Sequence, residues 1–206
     1  MHIGSLWELL VAVPAILLAV TFHEYAHGKV AYLLGDPTPK YQGRLTLNPL
    51  AHLDPLGTLL FVLAGFGWAK PVQVNPFYFH GDRRRGMMLV SLAGPLMNLV
   101  LAYLAAVASR VLVFAPFYIK QFLFAVVMYN IILAVFNLIP VPPLDGSKIL
   151  AGLLPPQHTG IIYQLETYGP LILLLLIFTG FIGLIMNPLI RVVYSLITLL
   201  SGMGYY

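Results

Sequence analysis

The chain has 206 residues, of which 60% are hydrophobic and 9% charged, and a formal net charge of +4 at pH 7. Water-soluble domains carry about a quarter charged residues, so this composition excludes a soluble globule and indicates a polytopic membrane protein forming one helical domain. The surplus of base reads as loop charge that sets topology, not as a nucleic-acid footprint, because no aromatic-interleaved basic surface accompanies it; with no cysteine in the chain, disulfides and thiolate metal sites are excluded too.

The first expected element is a span over residues 5–34. Its stretch 9–22 is apolar apart from Pro14 and Thr21, and Gly35-Asp36-Pro37 is a strong helix stop. No basic run or small-residue cleavage site marks it as a signal peptide, so it reads as a retained span. Residues 36–85 differ in character. They are rich in Pro, Gly and aromatics, with short alternating patches such as Gln42-Gly43-Arg44-Leu45-Thr46-Leu47. Short strands or reentrant hairpins are expected there. The apolar stretch 56–68 is too short for a comfortable span, and irregular backbone at membrane depth needs cover from protein or a wet cavity. The second span is expected over 87–114, after Arg83-Arg84-Arg85, and the third over 120–139. The third breaks in Ile139-Pro140-Val141-Pro142-Pro143, where prolines remove donors and clash with the preceding turn. A short helix is expected over 146–154. The fourth span is expected over 168–200, with a kink at Pro188.

Orientation follows from the basic residues. Residues 36–85 hold Lys40, Arg44, Lys70 and the three consecutive arginines, whereas the loop between the second and third spans holds only Arg110 and Lys120. The positive-inside bias assigns the first group to the cytoplasm and both chain ends to the outside. The end of the first span and the end of the third then share one side of the membrane.

The chemistry begins with His23-Glu24-Tyr25-Ala26-His27. Histidines four apart on a helix share a face, so both imidazoles can bind one metal ion. Glu24 can sit beside the ion's open position and take a proton from bound water, whose pKa zinc lowers to about 7. In a soluble helix the same spacing is often no more than a polar surface. Within a membrane span two histidines and a glutamate are costly unless paired or functional, which favours the metalloprotease reading of His-Glu-x-x-His. A third ligand is required. Asp145 follows the proline-rich break, and Gly146 permits close approach; the alternative for Asp145 is an ordinary helix cap. His52 and Asp54, in Asn48-Pro49-Leu50-Ala51-His52-Leu53-Asp54-Pro55, are rivals, with turn hydrogen bonding as the plainer role of each.

The run His23-Glu24-Tyr25-Ala26-His27, the later Asn137-Leu138-Ile139-Pro140 and Pro143-Leu144-Asp145-Gly146, and Ser91-Leu92-Ala93-Gly94-Pro95-Leu96-Met97-Asn98 between them together resemble the site-2 protease family. The resemblance covers almost the whole chain and is nearest to compact members without a PDZ or CBS domain. It implies an intramembrane zinc metalloprotease with one Zn²⁺ per chain. By the same resemblance His23, His27 and Asp145 are the ligands and Glu24 the general base. Asn98 falls on the asparagine that steadies substrate or the developing oxyanion, with an interhelical hydrogen bond as its alternative. Asn137 falls near the substrate path, with the same alternative. Gly94 and Pro95 serve close packing. The strand-like segment could pair with an unwound substrate.

The expected partners are transmembrane protein substrates and the lipid bilayer, and no nucleic acid; homo-oligomerisation and a substrate-presenting partner are left open. The expected location is the cell membrane, multi-pass, with the active site toward the cytoplasm. Two rivals stand beside this reading. One is a zinc-binding transporter, which usually shows paired inverted halves that are absent here. The other is a catalytically inactive homologue that only binds membrane proteins.

Overall fold

The first helix, α1 (Leu6–Leu33), has 28 residues and is about 42 Å long at 1.5 Å per residue, ample for a hydrocarbon core of about 30 Å. The computed structural model describes residues 6–64, 67–155, 157 and 159–202. Among these, four helices are long and apolar enough to cross a membrane: α1, α4 (Arg83–Val111), α5 (Phe117–Asn137) and α8 (Phe181–Ser201). The chain is a multi-pass membrane protein. Its outward surface carries large apolar side chains such as Leu96, Val100 and Leu104, while His23, His27, Ser91, Asn98 and Asn130 are buried. That inversion is what lipid demands, since polar groups must find partners inside the protein.

Helix α4 is the hub, and α1, α5, α6 (Asp145–Leu153) and α8 all pack on it. Its buried face explains why. Gly86, Val90, Ser91, Gly94, Pro95, Asn98, Ala102, Ala105 and Ala106 recur at intervals of three and four residues, and all but Val90, Pro95 and Asn98 are very small. Small residues let helix backbones approach closely when no hydrophobic effect drives association. Against the outer half of this face pack Ala15 of α1, Val126, Val127 and Ile131 of α5, and Ile197 of α8. Asp82 caps α4 by accepting from the N–H groups of Arg84 and Arg85, both at 2.9 Å. The Arg85 N–H foremost holds its carboxyl below the usual carboxylate range.

Residues 36–85 depart from the expected strands. They form a short helix α2 (Thr38–Tyr41), single 3-10 turns over Pro49–His52 and Pro76–Tyr78, and a helix α3 (Pro55–Ala64). Among the described residues there is no strand, only an isolated antiparallel bridge between Leu53 and Ala69. Proline is the reason. Pro49 and Pro76 each open a turn, and the side chains of Asn48 and Asn75 accept from the N–H two residues on, which closes the chain locally instead of extending it. The bridge and the Lys70 N–H donated to the His52 carbonyl at 3.0 Å bring the two ends of the α3 loop together. A helix of 10 residues reaches only about 15 Å, too short to cross a hydrocarbon core of about 30 Å.

The end of α1 is tied to this segment. Gly35 has φ +111°, and a Cβ there would strike the Tyr78 carbonyl and His80, so the turn requires glycine. Asp36 is fully buried; its carboxylate accepts from the Thr38 N–H at 2.9 Å and the Asn75 N–H at 2.7 Å.

The expected fourth span is two helices. α7 (Thr159–Phe178) ends at Thr179, and Gly180, with φ +72°, starts α8. A left-handed glycine stops the helix there, and Pro188 lies inside α8 without ending it. Leu173 of α7 packs against Ile139 and Leu144, and Gly169 abuts Pro142, so α7 stays at the end of the bundle where α5 stops. Arg110, at the far end of α4, donates to the Ser201 carbonyl. Helix α8 therefore runs parallel to α4, and the four crossings are preserved.

The buried small-residue face makes a direct prediction. Ala106→Leu adds bulk where there is no space, at a cost of about 1–3 kcal/mol, and lowers the thermal unfolding temperature in detergent. Leu104→Ala, on the exposed side of the same helix, leaves it nearly unchanged. Equal shifts from both would refute this assignment of faces.

Candidate metal centre

His23 and His27 lie one turn apart on the buried face of α1. Their Nε2 atoms are 2.9 Å apart, and the rings meet edge to face with centroids 4.5 Å apart. Asp145 arrives from the other direction. The chain leaves α5 at Asn137, passes the proline-rich break, and starts α6 at Asp145, with Leu144 as the N-cap residue. A Cβ on Gly146 would collide with the carbonyl oxygens of Leu138 and Ile139, so only glycine lets α6 begin this close to the end of α5. Asp145 is thus the first residue of α6 and not its N-cap. Its Oδ2 lies 3.2 Å from His23 Nε2 and 3.1 Å from His27 Nε2.

Protonation decides what this triangle can do. His27 Nδ1 lies 2.7 Å from the Val90 carbonyl, which can only accept, so Nδ1 carries a proton and, in the neutral imidazole, Nε2 is the lone-pair nitrogen. His23 Nδ1 lies 2.6 Å from Asn98 Oδ1. Asn98 Nδ2 donates to the Ala19 carbonyl at 3.0 Å and to Asn130 Oδ1 at 2.8 Å. Both amide protons of Asn98 are thereby committed, its oxygen faces His23, and in the neutral ring His23 Nε2 is the lone-pair nitrogen as well. With both rings neutral, two imidazole lone pairs and a carboxylate oxygen converge on one point, and Asp145 Oδ2 is buried facing both Nε2 atoms. Such an arrangement repels itself unless a cation joins it. Tetrahedral zinc with bonds of about 2.0–2.1 Å separates its ligands by about 3.3 Å, close to the observed 2.9–3.2 Å. The donor set therefore fits a divalent metal. Among the described residues, His23, His27 and Asp145 are the one group of three such side chains whose ligand atoms converge.

Room for the site comes from α4. A Cβ on Gly94 would stand 2.6 Å from His23 Cε1 and closer still to His27 Nε2. Gly94 was expected to serve close packing; what packs on it is the histidine pair itself.

The remaining candidates fall elsewhere. Glu24 stands outside the triangle, and its Oε2 accepts from the Val72 N–H at 3.0 Å. Asn98 is fully buried behind His23, with its amide protons directed away from any open position. Its interhelical alternative describes this geometry. Asn137 donates to the Leu133 carbonyl one turn back at 3.0 Å and is not part of the cluster. His52 is buried, and its ring donates to the Thr46 carbonyl at 2.9 Å, while Asp54 accepts from the Gly57 N–H at 2.8 Å at the start of α3. Neither joins the triangle, as their turn-forming alternative implies. Sequence reasoning passed over Asn130, although a fully buried asparagine in the apolar run of α5 is costly enough to have flagged itself.

The model of peptidase family M50 matches residues 114–177, which include Asp145. A Bacillus subtilis (strain 168) protein named "Putative zinc metalloprotease YwhC" is 41% identical over 187 residues, covering 87% of this chain and 85% of that protein. Proteins named "Putative zinc metalloprotease Rip2", from Mycobacterium tuberculosis (strain ATCC 25618 / H37Rv), and "Putative zinc metalloprotease MJ0611", from Methanocaldococcus jannaschii, are 35% and 29% identical over 78% and 71% of this chain. The chain spans 63% of that Rip2 and 72% of MJ0611. No solved structure matches. The chain belongs to peptidase family M50, in agreement with the site-2 protease resemblance of its motifs.

Gly94 supplies the test of this geometry. Gly94→Ala pushes a methyl group into the histidine pair and is expected to abolish stoichiometric metal uptake while the helical circular dichroism persists. Full metal occupancy in that variant would show that α4 does not press on the site.

Proposed function

We propose that this M50 peptidase is an intramembrane zinc metalloprotease that hydrolyses peptide bonds of membrane-embedded substrates. The observation that carries the reading is the convergence of His23 Nε2, His27 Nε2 and Asp145 Oδ2 on one point, with Glu24 adjacent to His23 in the chain. One Zn²⁺ would be held by those three atoms. When bound, it supplies a Lewis acid that makes water acidic enough to attack a carbonyl near neutral pH. Glu24 would take the proton of the attacking water and return it to the leaving amine. Its place next to His23, outside the ligand set, favours hydrolysis over a transit site, where a second carboxylate would have no task.

A helical substrate hides its scissile carbonyl in a hydrogen bond, so it must unwind to be cut. The extended stretch around residues 69–75 runs beside α1 and is tethered by Val72 to Glu24 and by Asn75 to Asp36. Extended backbone of this kind can pair with an unwound segment. The site belongs to the end of the bundle that carries Lys40, Arg44, Lys70 and Arg83 to Arg85, which supports a cell-membrane enzyme with its centre toward the cytoplasm.

Glu24→Gln is the decisive variant. It should retain one zinc per chain and lose cleavage of single-span substrates by at least about 10³-fold, on the scale of a general base whose removal leaves only binding and polarisation. A variant that cleaves at the normal rate would overturn the mechanism. The absence of native cysteine makes topology equally testable. In intact cells Phe114→Cys, which is fully exposed between α4 and α5, should react with a membrane-impermeant maleimide, and Tyr41→Cys should react only after permeabilisation. The reverse pattern would invert the orientation.

A further inference from the structure

Asn130 lies in the middle of α5 and touches none of the three ligands, yet it is fully buried among apolar residues. Its Nδ2 donates to the Val126 carbonyl at 2.8 Å, and its Oδ1 accepts from Asn98 Nδ2 at 2.8 Å. The network has a fixed polarity. Val126 and Ala19 offer carbonyl oxygens, which only accept. The Val126 carbonyl turns the Asn130 NH₂ toward itself and the Asn130 oxygen toward Asn98. That oxygen and the Ala19 carbonyl then claim both N–H groups of Asn98. Only the Asn98 oxygen is left for His23, and it can be met only by a protonated Nδ1. Three helices contribute: α5 through Asn130, α4 through Asn98, and α1 through both Ala19 and His23.

We propose that Asn130 is a positioning residue for the metal centre, acting through Asn98 to hold His23 in the tautomer whose Nε2 is free to bind metal. Without the Asn130 oxygen, one Asn98 N–H loses its partner inside the bundle, and only the Ala19 carbonyl still opposes a half-turn of the Asn98 amide that would offer an N–H to His23 Nδ1. His23 then carries its proton on Nε2, facing Asp145 and His27, and must give it up before it can ligate. Outer partners that fix a ligand's tautomer typically change metal affinity 10–100-fold. This inference rests on the metal reading of the triangle only for its consequence; the tautomer itself is a property of the metal-free protein.

The test uses the full chain in detergent with ¹⁵N-labelled histidine, the His23 resonances being identified by their loss in His23→Gln. Metal-free wild type should show a protonated Nδ1 and a bare Nε2 at His23. Asn130→Leu, or Asn130→Ala if leucine disturbs packing, should shift His23 toward the opposite tautomer and weaken zinc binding about 10–100-fold in a chelator competition. Asn130→Asp, which keeps an oxygen facing Asn98, should restore both. Val127→Ala, a truncation at a fully buried neighbour, should lower stability without changing the tautomer. The proposal is overturned if the apolar variants keep the wild-type tautomer and bind zinc within twofold of wild type, or if Val127→Ala reproduces their effect. If wild type shows the expected tautomer and Asn130→Leu shifts it, but neither takes up zinc, the relay stands and the metal assignment fails.

Discussion

Three potential metal-binding atoms crowded within about a hydrogen bond's length of one another are the constraint on which this molecule turns. Two nitrogen lone pairs and a carboxylate oxygen do not gather at 2.9–3.2 Å of their own accord. Each is forced there by a different device. One helical turn of α1 sets the distance between the histidines. The proline-rich break after α5 aims Asp145, and Gly146 permits the approach. Acceptors on α4, the Val90 carbonyl and the Asn98 side chain, take the Nδ1 protons and leave Nε2 as the ligating nitrogen of each neutral ring. A cation relieves the repulsion, so the same features that make the cluster unfavourable when empty favour metal when it is present.

The position of α4 follows from that constraint. Its small-residue face serves two purposes along its length. In the outer half, Ala102, Ala105 and Ala106 make a close apolar seam with α1, α5 and α8. In the inner half, the same spacing yields Gly94, which clears space for the imidazoles, and Asn98, which turns one of them. Interhelical hydrogen bonds inside membranes contribute only about 0.6 kcal/mol on average. That is modest recompense for burying Asn98 and Asn130 in full. Their value is better sought in the orientation of His23 than in bundle stability.

The site was legible in the sequence to the extent that it depends on local spacing or on residues that lipid makes expensive. His23 and His27 announced themselves by period, Asp145 by the backbone break before it, and four crossings by apolar length. Asn130 carried the same signal of cost but belongs to no spacing pattern, so only its tertiary contact with Asn98 gives it meaning. The segment 36–85 misled for a related reason. Alternating patches suggested strands, but Asn-Pro pairs close the chain on itself before a ladder can form. The last span was read as one helix because its apolar run is continuous. The left-handed Gly180 that divides it is a matter of two dihedral angles, which composition does not report.

The ligands and the proposed base are held by different parts of the molecule. His23, His27 and their partners sit in the rigid interior between α1, α4 and α5. Glu24, on the same helix as the histidines, reaches the Pro-rich segment, where the Val72 N–H holds its carboxylate. That stretch is anchored in turn by Arg44, a buried guanidinium that donates to the carbonyls of Ala51 and Pro71, and by Asp36 at Asn75. The carboxylate therefore takes its orientation from an extended loop, while the metal ligands take theirs from packed helices. A substrate that pairs with the loop backbone would act on Glu24 directly and leave the ligand triangle undisturbed. Chain that must be unwound before it can be cut would then meet the loop that sets the base in the same event that delivers it to the metal.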